Sequence, residues 1–158
     1  MGPAQRSRLT GPELGEASAI KVETHDDARG MIRLWQQPGM RLYSTRVVGH
    51  LSIELAETII DYVDPLFDGG RVLGFHDWFQ MTGYDTASRN QLTKWSLRRS
   101  ALAQINIGTR AKLVSMGVTV AALALGDRVL RRFGSEVALE AAYREAAHRE
   151  APRSSRDP

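Results

Sequence analysis

The sequence predicts an α/β domain, a mixed β-sheet of four to five strands covered by about four helices. Three observations predict it. Short runs of β-branched, aromatic and aliphatic residues, such as Val72 to Phe75 and Ala103 to Ile107, are bounded by turn residues and are too brief for helices. Longer segments carry apolar residues every three and four positions and open on hydroxyl side chains such as Ser52 and Ser135. The alternation of the two kinds of segment lays helices over a sheet that is parallel in part.

Taken in order, residues 1–18 mix Gly, Pro, Ser and charges with few large apolar side chains, and are expected to be disordered, as is a tail over 151–158. One domain is expected over 19–150. Met31 to Trp35 and Leu42 to Leu51 form a β-hairpin around the turn residues Gln37, Pro38 and Gly39. In its second arm Leu42, Ser44, Arg46 and Val48 alternate with Tyr43, Thr45, Val47 and Gly49, so one of the two sets is buried. Ser52 then caps a helix with Leu55, Ala56, Ile59, Ile60, Val63, Leu66 and Phe67 on one side. Pro65 lacks an N–H and disfavours helical geometry at Asp64, so the last turn is kinked or separate before Gly69 and Gly70.

Val72 to Phe75 reads as a buried central strand that gives way to a polar loop holding His76, Asp77, Gln80, Thr82 and Gly83. A helix from about Asp85 to Arg99 follows, with Leu92 and Trp95 facing inward, and then the strand Ala103 to Ile107. Thr109 is expected to cap a helix over Arg110 to Met116 that stops at Gly117. In Val118 to Leu125 the β-branched start favours a strand and the alanine and leucine run a helix; the strand start is preferred. Ser135 caps a last helix with Leu139, Ala142, Tyr143 and Ala146 on one stripe, and with Glu140–Arg144 and Glu145–Arg149 spaced for ion pairing.

Composition removes several functions. The 158 residues include no cysteine, which excludes disulfides, thiolate metal sites and cysteine nucleophiles. Lys and Arg number 21 against 18 Asp and Glu, a net charge of +3 spread along the chain, which argues against nucleic acid. The longest apolar run, Val118 to Leu125, is far short of the roughly 20 residues that span a bilayer, and residues 1–20 do not resemble a secretory signal. A cytoplasmic location is expected. His25, His50 and His148 are isolated, no spacing matches a metal motif, and no metal or cofactor is expected.

In an α/β domain the loop after a strand's C-terminal end is where binding usually occurs, which singles out His76, Asp77, Trp78, Tyr84, Asp85, Thr86 and Ser88 as a partner-binding surface. His76 with Asp77 also supplies a base and a carboxylate for a hydrolase. No nucleophile or oxyanion site accompanies them, and adjacent residues of an extended chain point apart, so a structural role is preferred. Trp78 and Phe79 are either an exposed aromatic anchor or a plug for the end of the core. An apolar small molecule has a second candidate site, under the helices, among Ile59, Ile60, Val63, Trp95 and Met116.

The element order, the turn Tyr84-Asp85-Thr86-Ala87-Ser88, the helix end at Met116-Gly117 and the segment Ser135-Glu136-Val137-Ala138-Leu139 together resemble the STAS domain, in particular its SpoIIAA-like branch, over about residues 22–147. The resemblance implies a noncatalytic switch of the anti-sigma-factor-antagonist kind. Its protein partner would be a serine kinase or another signalling protein, and the modified side chain would be a serine in the turn at the start of the helix after the central strand. Ala87 stands where that turn carries its second serine, which leaves Thr86 and Ser88 as the candidate phosphorylation sites, both equally explained as helix-capping hydroxyls. The resemblance to the SpoIIAA-like branch also implies an alternative, the binding of an apolar small molecule or lipid between helices.

Overall fold

A computed structural model describes residues 11–151 of the chain. Six strands, β1 (Ile20–Asp26), β2 (Gly30–Gln36), β3 (Leu42–Leu51), β4 (Val72–Tyr84), β5 (Ala103–Thr109) and β6 (Leu130–Phe133), lie side by side in sequence order. The first two pairings are antiparallel and the remaining three parallel. Helices α1 (Ile53–Val63), α2 (Thr86–Arg98), α3 (Lys112–Leu125) and α4 (Glu136–Glu150) complete the layers. The first three cover one face of the sheet through Leu55, Ile59, Trp95, Val114 and Val118, and α4 covers the other with Leu139, Tyr143 and Ala146.

The expected hairpin is formed by β2 and β3, and the expected cap of α1 is made, with Ser52 Oγ accepting from the Leu55 N–H at 3.2 Å. The interruption at Pro65 takes the form of a 3-10 helix over Asp64–Gly69. Ser135 caps α4 in the same way, through the Ala138 N–H. The Arg41 guanidinium ties that 3-10 segment to the sheet by donating to the carbonyls of Leu66, Gly70 and Arg71.

Four expectations are corrected. The sheet has six strands, not four to five: β1 is an exposed edge strand with only Ile20 and Val22 as apolar residues, and β6 has only four residues. The central strand β4 does not end at Phe75 but runs thirteen residues to Tyr84, because two irregularities of register against β3 let it continue beyond the polar stretch. Gly117 does not stop a helix, and 118–125 is helix, not strand: α3 is continuous to Leu125 and ends at Gly126. At Gly117 the ring of Tyr84 presses on the helix, and a Cβ would lie 2.5 Å from the Tyr84 hydroxyl, so glycine serves close approach there.

The fourth correction concerns the chain start. Residues 11–18, expected in the disordered lead, are packed onto the α4 face: Leu14 is fully buried and accepts a hydrogen bond on its carbonyl from Trp35 Nε1 at 3.0 Å. The remainder of the lead, 1–10, and the tail over 152–158 lie outside the described residues.

Candidate functional site

Alternation along β4 sorts its side chains before any chemistry is considered. Val72, Trp78 and the His76 imidazole look toward α1, α2 and α3, while Leu73, Phe75, Asp77 and Phe79 look toward α4. His76 and Asp77 therefore lie on opposite faces of the sheet. They form no base–carboxylate pair, and the hydrolase reading that needed them together loses its geometry.

Each has its own buried partners. Arg46 Nε donates to Asp77 Oδ2 at 2.8 Å, and the same guanidinium reaches Glu16 and the Pro12 carbonyl while stacking over Trp35 at 5.4 Å. Asp77 also accepts from the Phe79 N–H at 3.4 Å. This network anchors the 11–19 segment, and with it the α4 face. On the other side Thr45 Oγ1 lies 2.7 Å from His76 Nδ1, Tyr43 Oη lies 3.1 Å from His76 Nε2, and Trp78 Nε1 donates to Thr45 Oγ1 at 3.3 Å. Burial disfavours the imidazolium and pulls His76 down to about 3, and it raises the Tyr43 phenol.

Tyr43, His76 and Trp78 of this cluster form the floor of a cleft between the sheet, α2 and α3 that is partly open to solvent, with Thr45 buried beneath it. Its walls are mainly apolar, with Leu51, Met81, Trp95, Ile105, Val118 and Leu125 prominent, and among the described residues its one charged lining side chain is Arg89 on α2. Two glycines admit the tyrosines that line the cleft: the Tyr43 ring lies across Gly74, where a Cβ would sit 2.3 Å from the hydroxyl, and Tyr84 lies against Gly117.

Of the five residues expected to line an apolar site, Ile59 and Trp95 do. Val63 is buried in the core, Ile60 packs beside it, and Met116 points outward, 58% exposed. Helical periodicity placed Ile60 and Val63 on the inner face but cannot tell core from cavity wall. Met116 lies on the opposite side of α3 from Val114 and Val118, the two valines that face inward. Tyr43, Thr45, Met81 and Tyr84 were missed as parts of this site. For Tyr43 and Thr45 the alternation in β3 was the only signal, and there both sets are buried from Leu42 to Val47.

The expected partner-binding residues separate in the same way. His76, Asp77 and Trp78 are buried, as is Phe79, so the aromatic pair plugs the core. Tyr84 packs on α3. Asp85 is half-buried: its carboxylate lies 2.8 Å from His50 Nε2, accepts from Arg29 at 3.0 Å and takes the Ile53 N–H at 3.2 Å, so from the N-cap position of α2 its side chain serves the first N–H of α1 and makes no capping bond to α2. These bonds, that from His50 first, hold it below the usual carboxylate range. Ser88 is fully buried and donates to the Leu51 carbonyl at 3.0 Å; Thr86 is exposed.

Among the described residues no His, Asp and Glu cluster is placed to hold a metal ion, and no helix is long and apolar enough to cross a membrane. No family model matches the sequence, and no curated protein does. Among solved structures the chain is similar to an uncharacterised protein of the DUF3478 family with a SpoIIAA-like fold from Shewanella loihica PV-4, at 12% identity and a TM-score of 0.51 over 77% of this chain and 91% of that one. The likeness shows the fold: this chain has the SpoIIAA-like architecture.

Proposed function

We propose that this SpoIIAA-like domain is a noncatalytic carrier or sensor that takes an apolar small molecule into the cleft between the sheet, α2 and α3. The observation that carries the reading is the cleft itself, with mainly apolar walls and a small polar floor. Clefts of that character are the usual form of a small-molecule site. Each ligand methylene moved from water onto such walls contributes about 0.8 kcal/mol. His76 is fixed between Thr45 and Tyr43 in its neutral form and has no acidic neighbour on its face of the sheet, which suits recognition better than proton transfer.

Native mass spectrometry of the purified protein, paired with uptake of the dye Nile red, tests the reading. Ala121 lines the cleft on α3, and Ala121→Phe fills it. The variant should keep the fold and lose dye affinity by about tenfold or more, the equivalent of about 1.4 kcal/mol. Absence of uptake by the parent protein, or equal uptake by the variant, would sink the proposal.

A second reading draws on Thr86, exposed in the first turn of α2. Phosphate there would sit at a helix N-terminus beside Asp85 and control the release of a protein partner. Incubation with a candidate serine/threonine kinase and mapping of the modified residue checks it; modification absent from Thr86 counts against the switch.

A further inference from the structure

The hydrogen bonds at the floor of the cleft determine more than its polarity. Thr45 is fully buried, and its hydroxyl accepts from Trp78 Nε1, an indole nitrogen that can only donate. The Thr45 hydrogen therefore needs an acceptor, and among the described residues His76 Nδ1, 2.7 Å away, is the one in reach. A neutral imidazole that accepts at Nδ1 carries its proton on Nε2. Nε2 then donates to Tyr43 Oη at 3.1 Å, and the phenol's own hydrogen is left without a protein partner. The opposite tautomer would strand the hydrogen of Thr45, which does not line the cleft, where no ligand can relieve it. Tyr43 and His76 both line the cleft and are 2% and 5% exposed.

Resting on the cleft being a ligand site, we infer that the bound molecule carries an uncharged hydrogen-bond acceptor, a carbonyl, ester or hydroxyl oxygen, seated against the Tyr43 hydroxyl. The donor chain Trp78 to Thr45 to His76 to Tyr43 ends on that oxygen. Neither terminal group is charged at neutral pH, since burial keeps the imidazole neutral and the phenol protonated. The floor thus offers a dipole and no counter-charge to a carboxylate or phosphate, which would be desolvated without compensation.

Three probes separate the possibilities: hexadecane, methyl palmitate and palmitate, with affinities measured by displacement of Nile red. Methyl palmitate should bind more tightly than hexadecane by about fivefold, the worth of one ordinary net hydrogen bond, and more tightly than palmitate. Tyr43→Phe deletes one oxygen; it should erase the ester's advantage and leave hexadecane unchanged. Nitrogen NMR of the His76 ring should show the proton on Nε2. An ester-to-hexadecane ratio unaltered by Tyr43→Phe, or a proton on Nδ1, would overturn the inference while leaving the apolar-ligand reading standing. Palmitate binding more tightly than the ester, with the preference lost in Arg89→Gln, would put an anionic head at α2 and overturn it as well. Failure of all three probes in the parent protein would remove the ligand site itself.

Discussion

Acidification offers a direct measurement of how His76 is held. An unfolded chain protonates histidine near the ordinary 6.5, whereas in the fold burial keeps the ring neutral down to about 3. The unfolded state thus binds the extra proton first, and stability falls as pH drops through that window; above 6.5 the contribution is complete. Integrating the difference in bound protons from about pH 7 to about pH 5 gives a loss of about 2 kcal/mol from this residue alone. Urea unfolding at a series of pH values gives the slope, and His76→Gln, which can still bond Thr45 and Tyr43, should lack that portion of it. Should the variant fold poorly, the imidazole resonances of the parent protein report the same quantity, with His76 remaining neutral at about pH 5. Identical slopes in the two proteins, or a His76 ring that titrates near its ordinary value, would refute the reasoning.

Two further outcomes concern the other face and the start of α2. Asp77→Ala strips the buried Arg46 of its more deeply buried anion and should cost roughly 3 kcal/mol in urea unfolding, the low end for such pairs because Glu16 and the Pro12 carbonyl remain; Arg46→Met with Asp77→Leu should recover most of it. Ser88→Asp should lower stability by roughly 2–3 kcal/mol, since it buries a carboxylate against the Leu51 carbonyl, which keeps only the Asp85 N–H as donor, whereas Thr86→Asp should stay within about 1 kcal/mol of the parent in thermal unfolding.

Much of the architecture was legible because local rules agreed with the outcome. Ser52 and Ser135 cap where their hydroxyls predicted, and Gln37-Pro38-Gly39 turns the hairpin. The misreadings have one physical source, that a residue's neighbours across the sheet decide what its own chemistry permits. His76 and Asp77 looked like loop residues because isolated polar groups avoid central strands. Thr45, Tyr43 and Arg46, thirty or so positions earlier, supply the bonds that let them remain there. Gly117 looked like a stop, and only the ring of Tyr84 shows it as a contact. Likewise the cleft was half legible: periodicity found Ile59 and Trp95, but a cavity is the absence of side chains and leaves no pattern in a sequence.

The strands lie in the sheet in the order in which they are made. A nascent chain can therefore extend the sheet outward one neighbour at a time, with no strand waiting for a later one to open a gap. The faces do not mature together, however. Helices α1 to α3 arrive between strands, but α4, which covers Trp35, Leu73 and Phe75, is the last of the described elements. Until it leaves the ribosome, residues 11–19 are all that the described chain offers to cover that side, so interrupted synthesis would yield a half-clothed sheet with an aromatic surface ready for a chaperone or for its own kind.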